Sequence, residues 1–224
     1  MNKSFKLISI LSAFLFIAML YLAGCVNYDQ KTTLNADGSG TMKIHYWTSM
    51  KNFTMGTKLG NFDFDEKEAM KNYKGAGTAD VKVKIEEKLD DSTKHAYVEL
   101  SFKDINKIGD APAFADVRPS WKEGKDGMEL KYLLLKDTSA KDQSSDYTVT
   151  YTFTMPDEII STNATKKDGK TLTWEYKLPD MAKDVEMTAN VKGSAKKKTC
   201  GIFGMFLAVG IVGLSYYSQK KKRA

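Results

Sequence analysis

Two cysteines, two histidines and four prolines among 224 residues leave little material for several chemistries. Two cysteines make no disulfide framework, so the chain must be stabilised by packing. His45 and His95 stand in no HExxH arrangement, and no GxSxG element or phosphate-cradling glycine loop accompanies them. Gly75-Ala76-Gly77 lacks the rest of any dinucleotide fingerprint. Neither a cofactor nor a metal site is legible, and no residue is a catalytic candidate. Each histidine reads as an ordinary strand residue.

The formal net charge is +6. Of the 34 basic residues, two lie in the first six positions and seven flank the apolar run near the C-terminus. That leaves 25 against all 28 acids, a net −3 for the segment between. The high isoelectric point follows from the two ends and does not indicate nucleic-acid binding.

Those ends carry the clearest patterns. Lys3 and Lys6 precede an apolar stretch, Leu7 to Leu22, followed by Ala23, Gly24 and Cys25. Positive start, greasy run and small residues make a secretory signal over residues 1–24. Leu22-Ala23-Gly24-Cys25 resembles the lipobox of bacterial lipoproteins. The resemblance implies cleavage before Cys25 and lipidation of Cys25 by a diacylglyceryl thioether and an N-acyl (palmitate-type) chain. Several chains exceed the marginal affinity of one.

At the other end, residues 196–224 read as a C-terminal transmembrane helix with a basic tail. Cys200 to Ser218 is free of charge, between Lys196-Lys197-Lys198 and Lys220-Lys221-Lys222-Arg223. At a helical rise of about 1.5 Å it reaches roughly 28 Å, close to a bilayer's apolar thickness. A cleavable sorting signal is the other reading of this tail, though no Leu-Pro-x-Thr-Gly is present.

Residues 25–195 form the expected extracytoplasmic domain. Period-two alternation marks Tyr28–Leu34, Thr41–Thr48, Ala79–Leu89, Lys94–Lys103, Met128–Lys136, Asp146–Met155, Lys170–Lys177 and Asp184–Lys192 as about eight strands. Asn35-Ala36-Asp37-Gly38-Ser39-Gly40 is turn chemistry joining the first two; a calcium loop would need a bidentate acid where His45 or Tyr46 stands. Asp65 as N-cap, Glu68 three residues on and the Met70/Tyr73 pair predict a short helix ending before Gly75. Capping accounts for the acids Asp63, Asp65, Glu66 and Glu68 better than a metal does. The loop from Asp104 to Ala115 has room for one more helical turn. The fold class expected is therefore α+β, a largely antiparallel sheet of hairpins with one or two short helices, plus the C-terminal transmembrane helix; a β-sandwich is the alternative. With little linker at either end, both ends of the domain are expected near one membrane surface. The aromatics Tyr46, Trp47, Trp121, Tyr132, Tyr147, Tyr151, Phe153, Trp174 and Tyr176 read as core, with a subset able to line a cavity.

Lipobox, an immediate strand at Val26-Asn27-Tyr28-Asp29, the Asn-Ala-Asp-Gly-Ser-Gly turn, and Leu172-Thr173-Trp174 near the domain's end together resemble the LppM-type lipoprotein domain of bacteria. The resemblance implies a non-enzymatic envelope protein anchored in the cell membrane, with lipid or glycolipid binding. It carries no site residues over. The functional expectation is a membrane-anchored lipoprotein binding an envelope lipid or partner protein, with the C-terminus cytoplasmic. The alternatives are an envelope hydrolase with an unrecognised site, or an assembly factor acting through its transmembrane helix.

Overall fold

In the computed structural model of this chain the described residues are 26–53, 56–141 and 146–193. The signal, Cys25 and the C-terminal apolar run lie outside them. Among the described residues no helix is long and apolar enough to cross a membrane.

Among the described residues thirteen strands build three sheets. The largest has the order β11 (Lys166–Asp168), β12 (Thr171–Lys177), β9 (Thr148–Thr154), β1 (Asn27–Leu34), β2 (Gly40–Ser49), β6 (Thr93–Phe102), β5 (Thr78–Lys88). The second has the order β10 (Ile159–Thr162), β13 (Val185–Val191), β8 (Met128–Leu134), β7 (Val117–Glu123). A two-residue pair, β3 (Lys58–Leu59) with β4 (Phe62–Asp63), makes the third. Every pairing is antiparallel except β1 with β9, which run parallel from Tyr28↔Val149 to Thr33↔Thr154.

The strands form where the alternation lies. On β2, Met42, Ile44, Tyr46 and Thr48 are buried and the residues between them are not. On β13, Val185, Met187, Ala189 and Val191 point inward. Pro119 is tolerated because β7 is the edge strand of its sheet, where a missing amide donor removes no central ladder bond.

The expected α+β class is not what forms. Among the described residues strand accounts for 53% and helix of every kind for 17%. The only α-helix among the described residues is the eight-residue α1 (Glu66–Tyr73). Its boundaries are those the capping pattern implies: Asp65 accepts from the amides of Lys67 and Glu68. The remaining helical residues are short 3-10 turns, including Ile105–Asp110 and Pro112–Phe114 in the loop expected to hold one turn. The fold is mostly β because the second sheet covers the apolar face of the first, leaving helix only a peripheral role. Tyr132 of β8 meets Tyr151 and Phe153 of β9, with ring centroids 5.9 and 5.2 Å apart. Trp174 of β12 donates through Nε1 to Asn163 Oδ1 at 2.8 Å, and Trp121 of β7 to the Ala36 carbonyl at 3.2 Å.

These contacts also fix how the two sheets run. The level of Tyr132 on β8 is the level of Gln30 on β1. Val26 lies four residues from Gln30 one way, and Met128, paired with Val191, four residues from Tyr132 the other way. At about 3.3 Å per residue, Val26 and Val191 are roughly 26 Å apart along the strands. The expectation that both ends of the domain meet one surface therefore fails: they leave from opposite ends of the stacked sheets.

Candidate functional site

At the Val26 end the two sheets part. A half-open cavity of about 520 Å³ lies between them, walled by Val26 just before β1, by Tyr28, Tyr151 and Val149 from the large sheet, and by Val117 and Leu134 from the small one. Tyr73 of α1, Ala113 and Phe114 of the 3-10 turn, Leu59 and Phe62 of the β3–β4 hairpin, and Leu178 and Met181 of the 3-10 turn Leu178–Ala182 complete it. The size falls in the range of small-molecule sites, about 300–1,000 Å³. The polar rim carries both signs: Asp116, Lys136 and Asp137, with Asn61 and Thr138.

The floor is polar at one point. Gln30 is fully buried. Its Oε1 accepts from the Tyr28 hydroxyl at 2.8 Å, and its Nε2 donates to Thr32 Oγ1 at 3.1 Å and toward Tyr132 Oη at 3.4 Å. Burial pushes the phenols of Tyr28, Tyr73 and Tyr151 well above their ordinary value, with neighbouring tyrosines adding to the shift. They stay neutral hydrogen-bonding groups and supply no proton chemistry near neutral pH. The walls suit an alkyl chain; the rim suits a polar head.

The aromatics divide between core and cavity. Tyr46, Tyr132, Phe153 and Trp174 are core; Tyr151 lines the cavity and Tyr28, absent from the sequence-based set, joins it. Tyr46 donates to the Asp63 carbonyl, tying β2 to the β3–β4 hairpin. Asp63 itself is buried, accepts from Asn72 and lies 3.8 Å from Lys58. Asn35 to Gly40 is the turn expected: Asp37 Oδ1 accepts from the Ser39 amide at 3.0 Å, and Gly38 adopts φ +86°.

A second cluster went unread in the sequence. His45 and His95, 50 residues apart, are brought together by the β2–β6 register, in which His45 pairs with Tyr97 and Trp47 with His95. His45 Nε2 lies 2.9 Å from His95 Nδ1, and His95 Nε2 lies 2.7 Å from Thr93 Oγ1. Thr93 in turn donates to Asp91. A threonine that donates to a carboxylate must accept from His95 Nε2–H, so His95 Nδ1 accepts from His45 Nε2–H. Trp47, His45 and Tyr97 stack with centroids 4.5 and 4.4 Å apart. Burial first, then the neighbouring His95, lowers the His45 pKa to about 4; burial first, then Lys88, lowers that of His95. Both are neutral at pH 7. These rings stand on the face of the large sheet opposite Ile44, Tyr46, Ala96 and Val98, so the sheet separates them from the cavity. Among the described residues no group of three or more metal-ligating side chains converges. Cys25, the residue expected to carry lipid, lies outside the described residues; its neighbour Val26 is buried in the cavity wall.

No family model matches this chain, and no curated protein matches it. Among solved structures, the NMR structure of the folded domain of LppM from Mycobacterium tuberculosis is similar to it. The TM-score is 0.50 and the identity 16%, over 78% of this chain and 93% of that one. At that identity the likeness is one of architecture: the described domain has an LppM-like fold.

Proposed function

We propose that this chain is a non-enzymatic envelope lipoprotein, anchored to a membrane through lipid on Cys25, whose domain binds the apolar part of a lipid. The observation that carries the reading is the cavity between the sheets: an aromatic and aliphatic interior, a single amide at its floor and a charged rim. Apolar sites with a few placed polar groups are the usual form of a small-ligand pocket. The LppM-like fold and the Leu22-Ala23-Gly24-Cys25 sequence support the envelope setting. The hydrolase alternative loses ground because the histidines sit across the sheet from the cavity and are bonded to each other.

The binding step needs no chemistry from the protein. An alkyl chain entering the cavity leaves water, at about 0.8 kcal/mol per methylene buried. Gln30 and Tyr28 satisfy one another at the floor, so no buried donor is orphaned when the walls are apolar. The mixed-charge rim holds the head in water.

Filling the cavity tests the reading. Ala113→Trp adds bulk at the wall. Detergent-purified protein should bind a fluorescent fatty acid, and the variant should bind it at least about tenfold more weakly, a loss of about 1.4 kcal/mol. Equal binding by a variant with unchanged far-ultraviolet circular dichroism and melting temperature would place the ligand elsewhere.

A further inference from the structure

The chain enters the described fold through the wall of the cavity. Val26 is 2% exposed and lines it, and residue 25 is the next along the backbone. Consecutive Cα atoms are about 3.8 Å apart, so the Cα of residue 25 lies within about that distance of a residue in the cavity wall. Five residues on, along the same strand, Gln30 forms the floor. No spacer separates the attachment point from the pocket.

We propose that one of the acyl chains borne by Cys25 folds back into the cavity, so that the pocket's resident ligand is the protein's own anchor. The inference rests on the proposed lipidation of Cys25 and on the cavity's binding an alkyl chain. Two features favour this occupant over a lipid from solution, the position of the attachment point and the tether, and a third, the aliphatic wall, suits its chemistry. The attachment point adjoins the wall. The occupant is tethered, so its effective concentration at the cavity is that of a short linker, in the millimolar range. The interior walls at this end, Val26, Val149, Val117 and Leu134, are aliphatic and match an alkyl chain. A protein that carries more than one chain can spare one, because the remaining chains still exceed the marginal affinity of a single anchor. A lipid from the bilayer would then have to displace the tethered chain, which makes occupancy of the pocket a competition.

Photocrosslinking in intact membranes decides it. The full chain would carry Leu178→p-benzoylphenylalanine at the pocket's partly buried lip, with Met181→p-benzoylphenylalanine as the second position if the first fails to fold. Ile160→p-benzoylphenylalanine, an exposed position on β10 outside the cavity, is the control. The expected product is a link from residue 178 to the acylated N-terminal peptide of the same molecule, absent from the Ile160 variant. A link from residue 178 to a separate phospholipid would overturn the inference while leaving lipid binding in place. No lipid link at either lip position, in folded protein, would overturn the inference together with the pocket reading. An N-terminal peptide whose mass shows Cys25 unmodified would overturn it through the anchor.

Discussion

Gln30 is a polar side chain with no exposure in the middle of an apolar interior. It is tolerated because Tyr28, Thr32 and Tyr132 satisfy its amide from three directions. Removing the amide leaves the buried Tyr132 hydroxyl and the part-buried Tyr28 hydroxyl short of a partner and opens a void. Gln30→Ala should therefore cost about 2–4 kcal/mol, combining an unsatisfied group with a cavity. Tyr132→Phe takes away only a 3.4 Å contact and leaves the Gln30 amide its Thr32 partner, so it should cost under about 1.5 kcal/mol. Urea unfolding of the two variants checks the order.

The histidine pair gives a second expectation at this scale. His45 has a folded pKa of about 4 against 6.5 for the free side chain. A folded value below the unfolded one means that the unfolded chain binds the proton more readily. The pair's contribution is full above about pH 6.5 and is lost as pH falls toward 4. Asp29 and Asp91 oppose the shifts, while Lys31 and Lys88 add to them. Stability measured between pH 6.5 and 4 should fall less steeply for His45→Gln than for the native chain. An identical slope would show that the pair is not the titrating unit. Neither histidine advertised this in the sequence, since the contact depends on the pairing of two strands separated by a helix and three further strands.

At the scale of elements, the local patterns were legible wherever one strand face is buried. Met42, Ile44 and Tyr46 on β2, Val149, Tyr151 and Phe153 on β9, and Leu172 and Trp174 on β12 alternate in the sequence as they do in the sheet. The helix start at Asp65 was legible because capping is a local hydrogen-bond device. Five short or edge strands were not. β3 and β4 have two residues each, β11 is exposed throughout, β10 is irregular, and β7 contains Pro119. Short or edge strands have too few buried positions to show a period. The parallel β1–β9 pair was invisible for another reason: it joins residues more than a hundred positions apart, and nothing local specifies it.

The turns carry testable weight as well. Gly127 sits at φ +148°, and a Cβ there would lie 2.1 Å from the Val191 carbonyl oxygen. Gly127→Ala must move the end of β13 or strain the β7–β8 turn, and should destabilise by more than about 1 kcal/mol. A melting temperature equal to that of the native chain would contradict this. Asp65→Ala should cost about 1 kcal/mol, with faster amide exchange at Lys67 and Glu68, the two amides that Asp65 accepts from.

For the whole molecule, the misjudged quantity was the balance of helix to sheet. The sequence shows one good helix and a loop with room for another, and these suggested α+β. The decisive fact is tertiary: a four-stranded sheet closes over the seven-stranded one, and α1 and the 3-10 turns Pro112–Phe114, Thr138–Ala140 and Leu178–Ala182 gather at the cavity end. That arrangement leaves the cavity where the sheets diverge. It also sends residues 26 and 193 out of opposite ends, which no reading of linker lengths could supply. The lipidation proposed for Cys25 is readable as a motif, but the pocket is not, because its walls come from six strands and four helical segments spread along the chain.

The central claim is that the cavity holds an alkyl chain. Native mass spectrometry of the full chain, released from detergent after expression in a bacterium, tests it most directly. The expected result is a protein mass carrying Cys25-borne lipid in the native chain, and a noncovalent lipid adduct in Cys25→Ser that is lost in Cys25→Ser/Ala113→Trp. A folded Cys25→Ser protein that shows its bare mass in the presence of excess fatty acid would contradict the account.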